Sequence, residues 1–461
     1  MTLETFFSGI VSVLFGYFLL SNGGYLILNL LSIFSMRGIE QRKMLLDLPY
    51  IQSGLEPPVS LLFTTYNEEA DIFKSINALL GLHYARFEII VINDGSQDAT
   101  MDVLIQAFDL LPFPEAYRIQ LATQPVTNVY RSTRFPHLRV IDKVHGGKAD
   151  ALNAGINAAR YPLVCNLDAM TLLQRDSLNL LAAPFLNDPS AIVSIGAVRM
   201  ANGCELKDGL VEKTGVTKRV LPLLQSVAYL RNFLFTPLGW STLNGMLISP
   251  PGINMIRKEA AIEAGGYRTD VTNAAVELVM RLHRLMRQQQ RPYQIRFVAD
   301  PVCWRKIPAD IATLKHRHIQ WQRALLDGLS LNFELLFSRH GGVPGTLAFP
   351  FALLFELLGP LLEIFGYAFI VIATITGIIP WQTCVAFFTL AIGLGILLSV
   401  SSLLLEEISF RLYPKGSDLA RLIVIAIIGN FGFRQWNSYW RALAVTQGWI
   451  KGRKPGGNKH S

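Results

Sequence analysis

Asp168 ends an apolar run, Pro162-Leu-Val-Cys-Asn-Leu-Asp168, that reads as a buried strand closing on a carboxylate. A carboxylate so placed can hold a divalent cation against a diphosphate. Two positions on, Met170 offers only a thioether, a poor ligand for hard cations such as Mg²⁺ or Mn²⁺. Upstream, Phe63-Thr-Thr65-Tyr66-Asn67-Glu68-Glu69 follows a first apolar run, where a turn can hold a nucleoside. Asn93-Asp94-Gly95-Ser96 follows a second; its carboxylate can accept hydrogen bonds from a base or ribose, and Gly95 permits a tight turn. His145-Gly-Gly147-Lys148 then opens a helical stretch, where glycine N–H groups, the helix N-terminus and the Lys148 cation can meet a phosphate. NDGS or GGK alone also fits an ordinary turn; in this order and spacing they fit one nucleotide site.

Such residues need a sheet to carry them. The short β-branched runs VSLLF, FEIIVIN, LRVID, PLVCNLD and IVSIGAV alternate with helical stretches such as Ala149–Arg160. That alternation predicts a doubly wound α/β sheet with ligands at the carboxyl ends of its strands. The 461 residues suffice for two or three domains, and a hydrophobic share of 51% with net charge +8 points to membrane segments with basic flanks. No basic helix or zinc spacing supports nucleic acid as a partner. Cys165, Cys204, Cys303 and Cys384 are scattered without a CxxC pair and read as core residues.

Phe6 to Met36 is nearly uncharged and long enough to span a bilayer, and Arg37, Arg42 and Lys43 place the next segment in the cytoplasm. Residues 55–335 have soluble composition. Leu347–Pro380 is expected to hold an interfacial turn and a spanning helix, Trp381–Leu405 a second span, and Leu419–Phe433 a segment that lies in the interface or crosses. Glu356, Glu363, Glu406 and Glu407 are expected at the interface or paired with Arg411, and Trp240 and Trp304 in packing. The layout is thus 1–45 membrane helix and basic flank, 46–340 cytoplasmic domain, 341–448 interfacial and membrane helices, and 449–461 flexible basic tail.

The pattern continues through Gly265–Arg284 (GGYRTD…ELVMRLHR), Val298–Trp304 (VADPVCW), Trp321–Leu326 (WQRALL) and FELLGPLLEIFGY. Taken together these motifs resemble the membrane-bound family 2 glycosyltransferases, in particular the processive branch that includes cellulose, hyaluronan and poly-N-acetylglucosamine synthases. The resemblance implies a GT-A-like, Rossmann-like domain, a UDP-sugar donor, Mg²⁺ or Mn²⁺, and inversion at the sugar carbon. It implies nucleotide-sugar contacts at Thr65, Tyr66, Asn67, Glu69, Asp94, Gly147, Lys148 and Asp168, with Asp94 on the uridine and Asp168 on diphosphate and metal.

Three positions depart from the family pattern. The second aspartate of the metal clamp falls on Met170. The Glu-Asp pair that supplies the general base falls on Ala274 and Ala275, with Asp270 before it and Glu277 beyond. The Gln-x-x-Arg-Trp motif reads Arg317-His318-Ile319-Gln320-Trp321, keeping the tryptophan as a platform for a sugar ring. Loss of a general base costs about 10²–10⁴ in rate; loss of the metal's charge stabilisation adds several kcal/mol. His145, His316 and His318 are the nearest replacement bases, and Lys148 and Arg317 the nearest replacement charges.

The expectation is therefore a multi-pass protein of the inner (plasma) membrane in surface-polysaccharide synthesis. It would be a catalytically degenerate member binding nucleotide sugar or glycan beside an active homologue. Two rivals stay open: an active, metal-independent transferase to a polysaccharide or lipid-linked acceptor, and a polymer-conducting or scaffold subunit that binds no donor.

Overall fold

The computed structural model describes residues 3–46, 56–167, 171–207, 210–307, 310–411, 413 and 416–451. Asp168, Met170, Lys415 and residues 452–461 of the basic tail lie outside the described residues, as do the side chains of Arg37, Arg42 and Lys43.

The strands are β1 (Val59–Thr65), β2 (Phe87–Asn93), β3 (Leu110–Pro112), β4 (Val126–Ser132), β5 (Leu138–Lys143), β6 (Leu163–Leu167), β7 (Thr171–Leu173), β8 (Ala191–Met200), β9 (Glu205–Lys207), β10 (Leu210–Lys213), β11 (Ile253–Arg257) and β12 (Gln294–Arg305). Ten of them form one sheet in the order β3-β4-β5-β2-β1-β6-β11-β8-β12-β7. β5, β2, β1 and β6 run parallel, and β11 runs antiparallel between β6 and β8. Strands covered on both faces read as continuous apolar runs, and Leu61, Leu62, Phe63 and Ile89 to Ile92 are all buried. The chain leaves β1 for β2 on one side and later places β6 on the other. This reversal opens a crevice at the carboxyl ends of β1, β2 and β6.

The helix Lys148–Ala158 (KADALNAGINA) packs on β1 and β2, two residues shorter at its end than the sequence suggests. Its small residues permit the approach: a Cβ on Gly155 would lie 3.0 Å from both Ile92 and Leu62. The helix therefore enters the crevice with its N-terminus close to the strand ends.

Two helices are long and apolar enough to cross a membrane, Phe6–Met36 within Leu3–Leu46 and Trp381–Phe410. The pairs Pro344–Leu357 with Gly359–Ile375 (bent 46°) and Gly416–Ile428 with Phe433–Gly448 (bent 57°) would raise the spans to four if each pair is one span. The first bend coincides with Gly359-Pro360, where proline removes a helical hydrogen bond, and follows a π-helical turn over Ala352–Leu357.

The carboxylates of these segments pair differently from the expectation. Glu406 is buried and faces the sheet, 2.7 Å from Arg199 of β8, instead of reaching Arg411. Glu363 meets Arg434 at 3.0 Å, and Glu356 meets Arg441 at 3.0 Å. The reason is helical phase: these side chains point into the bundle, where an unpaired charge would be costly, so the partners come from facing elements.

One buried histidine ties the sheet domain together. The Tyr293 hydroxyl lies 2.7 Å from His283 Nδ1 and the Met246 carbonyl 3.0 Å from Nε2, so Nε2–H donates and Nδ1 accepts. Burial pushes this imidazole down to about 4. The unfolded chain gains its proton near pH 6.5 and the folded chain only near the lower value. The contribution is therefore complete above 6.5 and is lost as pH falls toward 4, at about 1.4 kcal/mol per pH unit. Urea unfolding at pH 7 and pH 5 is expected to show this loss, and His283→Gln to flatten it.

Candidate functional site: the strand-end crevice and the cavity beside it

The sheet brings the first set of predicted residues together. Thr65 ends β1 and is buried; its hydroxyl donates to Glu68 at 3.0 Å. Asn67 adopts φ 53°, its N–H donating to the Ser96 hydroxyl at 3.0 Å and its side-chain oxygen accepting from Gln97 N at 2.8 Å. Glu69 accepts from Ala99 N at 3.0 Å. Asn67 and Glu69 therefore stitch the turn after β1 to the turn after β2. Burial raises the Glu68 carboxyl above its ordinary range, while the nearby Lys148 charge opposes that shift. The Tyr66 ring lies 4.6 Å from the His145 ring, tilted by 37°.

Asp94 is the centre of the crevice, and its carboxylate already accepts three hydrogen bonds. Lys143 Nζ donates to Oδ1 at 2.7 Å, Gly146 N to Oδ1 at 3.0 Å and Gly147 N to Oδ2 at 2.8 Å. His145 Nδ1 lies 3.0 Å from Oδ2 and 3.0 Å from the Asp94 backbone carbonyl, its hydrogen-bond partner. A carboxylate offers about four acceptor positions, and three are taken, so a uridine would compete with the loop 143–147 for Asp94. The glycine N–H groups that sequence reasoning aims at a phosphate are spent on Asp94. Lys148 is the first residue of its helix, and its charge reaches Glu68 in the turn after β1.

Sequence reasoning missed the buried hub of this loop. Lys143 is fully buried and bridges Asp94 to Asp150, 2.6 Å away. Its signal is a lysine at the end of a strand, with one residue, Val144, between it and HGG. Backbone shape is equally constrained: Gly95 has φ +70°, and a Cβ there would sit 2.8 Å from His145 N. Gly95→Ala is expected to cost about 1–2 kcal/mol from the left-handed backbone alone, read as a lower midpoint in urea.

The second set surrounds the position of the general base. Ala274 and Ala275 open the helix Ala274–Gln288, capped by Asn273, whose side chain accepts from Ala275 N at 3.0 Å and Val276 N at 3.3 Å. Nearby carboxylates are all engaged: Asp270 with Arg268 (2.6 Å), Glu277 with Arg281 (2.8 Å), and Asp327 with the Thr272 hydroxyl (2.7 Å). Thr272 and Asn273 face a large cavity, whereas Glu277 is buried beneath them.

That cavity, about 600 Å³, joins the sheet domain to the membrane-length helices. The helix Ile311–Leu331 supplies Arg317, Gln320 and Trp321 to its wall. Trp321 packs edge-on against Phe233 at 4.8 Å, and Gln320 lies 2.9 Å from the His316 ring. His318 sits 6.0 Å from Trp440, and burial pushes its imidazole down to about 4. The opposite wall carries Tyr17, Asn22, Phe355, Asn430 and Ser438. Gln322, also missed from sequence, donates to the Glu356 and Leu357 carbonyls and accepts from Arg441 Nε at 2.8 Å. Trp304 is buried in β12, and Trp240 lines the cavity against Phe351. Aromatic faces with amide and hydroxyl groups suit a sugar chain.

Among the described residues, no group of three or more His, Cys, Asp or Glu side chains gathers to hold a metal ion. Asp168, the residue assigned to the metal by resemblance, lies outside them.

Comparisons with known proteins follow the same lines. Residues 60–263 match the family described as "Glycosyl transferase family 2". The poly-beta-1,6-N-acetyl-D-glucosamine synthase of Staphylococcus aureus (strain COL) is 25% identical over 264 residues, 57% of this chain and 53% of that protein. The synthase of the same name from Staphylococcus epidermidis is 24% identical over 265 residues. The chain thus spans about half the length of the curated relatives it matches. Among solved structures, a mannosyltransferase from Pyrobaculum calidifontis in complex with GDP-Man and Mn²⁺ aligns over 95% of this chain and 99% of its own, at 16% identity and TM-score 0.49. A glucosyl-3-phosphoglycerate synthase from Mycobacterium tuberculosis with Mn²⁺ and UDP aligns over 59% of this chain and 79% of its own, at 16% identity and TM-score 0.35. The mixed sheet with its crevice at the strand ends is a GT-A-like α/β domain, flanked by helices of membrane-spanning length. Residues 60–263 of this chain are a family 2 glycosyltransferase domain, related to that of bacterial polysaccharide synthases.

Proposed function

We propose that this protein works in surface-polysaccharide synthesis as a catalytically degenerate family 2 member, holding a glycan in its cavity beside an active transferase. The observation that carries the reading is the wall at the base position. Ala274 and Ala275 stand there, and Asp270, Glu277 and Asp327 are each committed to another partner. On this reading those commitments keep each of them from serving as the base for an acceptor hydroxyl. Asp94, held by Lys143 and the loop after it, adds a second obstacle, because a uridine would compete with them for its carboxylate. On this reading a nucleotide sugar with Mg²⁺ or Mn²⁺ would bind weakly, through Tyr66, Lys148 and Asp168.

The cavity wall favours a glycan over a donor as the main ligand, since Trp321, Asn430 and Ser438 face it from both domain and membrane sides. The protein would lie in the plasma membrane with its sheet domain in the cytoplasm. The test is turnover of UDP-N-acetylglucosamine and UDP-glucose by full-length protein in detergent, with and without Mn²⁺. Free UDP is expected to stay at the level of a Lys148→Ala control. UDP or polymer accumulating well above that control would establish an active transferase and end the degenerate reading.

A further inference from the structure

The cavity is strongly unbalanced in charge. Among the described residues its lining includes the cations Arg231, Arg305, Lys306, Arg317, Arg434 and Arg441 and two carboxylates, Glu356 and Glu363. Both carboxylates are committed, Glu356 to Arg441 and Glu363 to Arg434, each at 3.0 Å. Among the described residues, Arg231, Lys306 and Arg317 have no ion-pair partner. Neutral sugar would be served by the paired charges, amides and aromatic rings alone. The surplus cations ask for something else.

Arg231 is the most informative of them. It opens the π-helical turn Arg231–Phe235, between the first membrane-length helix and the last. Its one side-chain hydrogen bond goes from Nε to Asn232 Oδ1, at 3.1 Å, which leaves the two terminal nitrogens to the cavity. Burial and the neighbouring Arg434 push its guanidinium down to about 10, and Glu363 and Glu356, each already paired with another arginine, offset this only in part. A guanidinium in such a place is stabilised most by an oxyanion, which its planar fork can grip with two parallel hydrogen bonds. On the domain side, Lys306 is exposed and Arg317 half-buried, so a second cationic contact lies where the cavity meets the sheet. Burial lowers the Arg317 guanidinium, and the like charge of Arg305 lowers it further.

We propose that the glycan held in this cavity carries an oxyanion, a phosphate or a carboxylate on the saccharide, and that Arg231 is the residue that binds it. This rests on the reading of the cavity as a glycan site and narrows it to one substrate class. The two sources of the charge, a saccharide phosphate such as the head of a lipid-linked sugar and an acidic polysaccharide, share the same recognition chemistry.

The test measures binding to full-length protein in detergent micelles with four ligands: an N-acetylglucosamine pentasaccharide, a glucuronate-containing hexasaccharide, N-acetylglucosamine 1-phosphate and UDP. At least one anionic saccharide is expected to bind ten-fold or more tighter than the neutral pentasaccharide. Whichever shows the preference identifies the source. Arg231→Gln is expected to remove the preference while leaving the neutral pentasaccharide unchanged, and Arg231→Lys to keep only part of it. A neutral ligand that binds as tightly as the anionic ones overturns the proposal but leaves the glycan reading standing. Failure of every saccharide to bind overturns both. Weakening of UDP alone by Arg231→Gln would also overturn it, by giving the cation to the donor. Should Arg231→Gln not fold, Lys306→Gln at its exposed position is expected to lower the anionic preference, and an unaltered preference in both Lys306→Gln and Arg231→Lys counts against the proposal.

Discussion

Glu406→Ala is expected to destabilise the protein by about 3–5 kcal/mol, because it strands a buried guanidinium. Arg199 of β8 and Glu406 of the helix Trp381–Phe410 are both buried, 2.7 Å apart. The pair is embedded in further contacts: the Tyr413 hydroxyl donates to Glu406 at 3.1 Å, Arg199 donates to the Ala299 carbonyl at 3.1 Å, and its guanidinium lies 5.0 Å from the Phe410 ring. Thermal and denaturant unfolding in detergent would read the loss. The double replacement Arg199→Met with Glu406→Leu is expected to recover most of it, since two apolar side chains leave no buried charge behind. A single mutant within about 1 kcal/mol of the parent would mean that water reaches the pair, as at an exposed ion pair.

Lys143→Met is expected to be as costly, about 3–5 kcal/mol, for the opposite reason: it leaves two buried carboxylates without their cation. Asp94 is 3% exposed and Asp150 is 5% exposed, and Lys143 Nζ lies 2.7 Å from the one and 2.6 Å from the other. Adding Asp150→Asn should restore part of the stability, because one carboxylate is then removed along with the lysine. The same variant reports on the crevice. With the loop 143–147 released, calorimetry with UDP is expected to show a changed affinity relative to the parent. Identical UDP binding in a folded Lys143→Met protein would mean that the loop does not govern access to Asp94.

The sheet was legible in the sequence because its central strands are apolar on both faces, so VSLLF, FEIIVIN and PLVCNLD stand out without any alternation to interpret. The turns after β1 and β2 were legible for a related reason: a crevice at strand ends requires polar residues immediately after apolar runs. What could not be read was who holds whom. Asp94, Gly146 and Gly147 were assigned to a ligand, but from sequence nothing distinguishes a donor aimed at a phosphate from one aimed at a carboxylate of the same protein. Lys143 was passed over because a lysine at a strand end is ordinarily solvated. For Glu406 the sequence offers an interfacial position or a pairing with the neighbouring Arg411, because proximity along the chain is the only guide there, whereas Arg199 lies far away in the chain and faces Glu406 across the fold. Arg231 is invisible in the sequence for the same reason: the cations and the already paired carboxylates that share its cavity come from distant segments of the chain.

The first membrane-length helix carries its own lesson about how the protein is made. A Cβ on Gly239 would sit 2.4 Å from the Leu28 carbonyl, and one on Gly24 would sit 2.6 Å from the Phe351 ring, so this helix is clamped by elements that emerge much later from the ribosome. Asn29 reaches Ser402 at 3.3 Å, and Tyr25 donates to Glu356. Until those later segments are made, Asn29 and Tyr25 lack these partners. The whole sheet domain is therefore translated between this helix and the partners that complete it, and the cavity wall closes only when the last helices have been made.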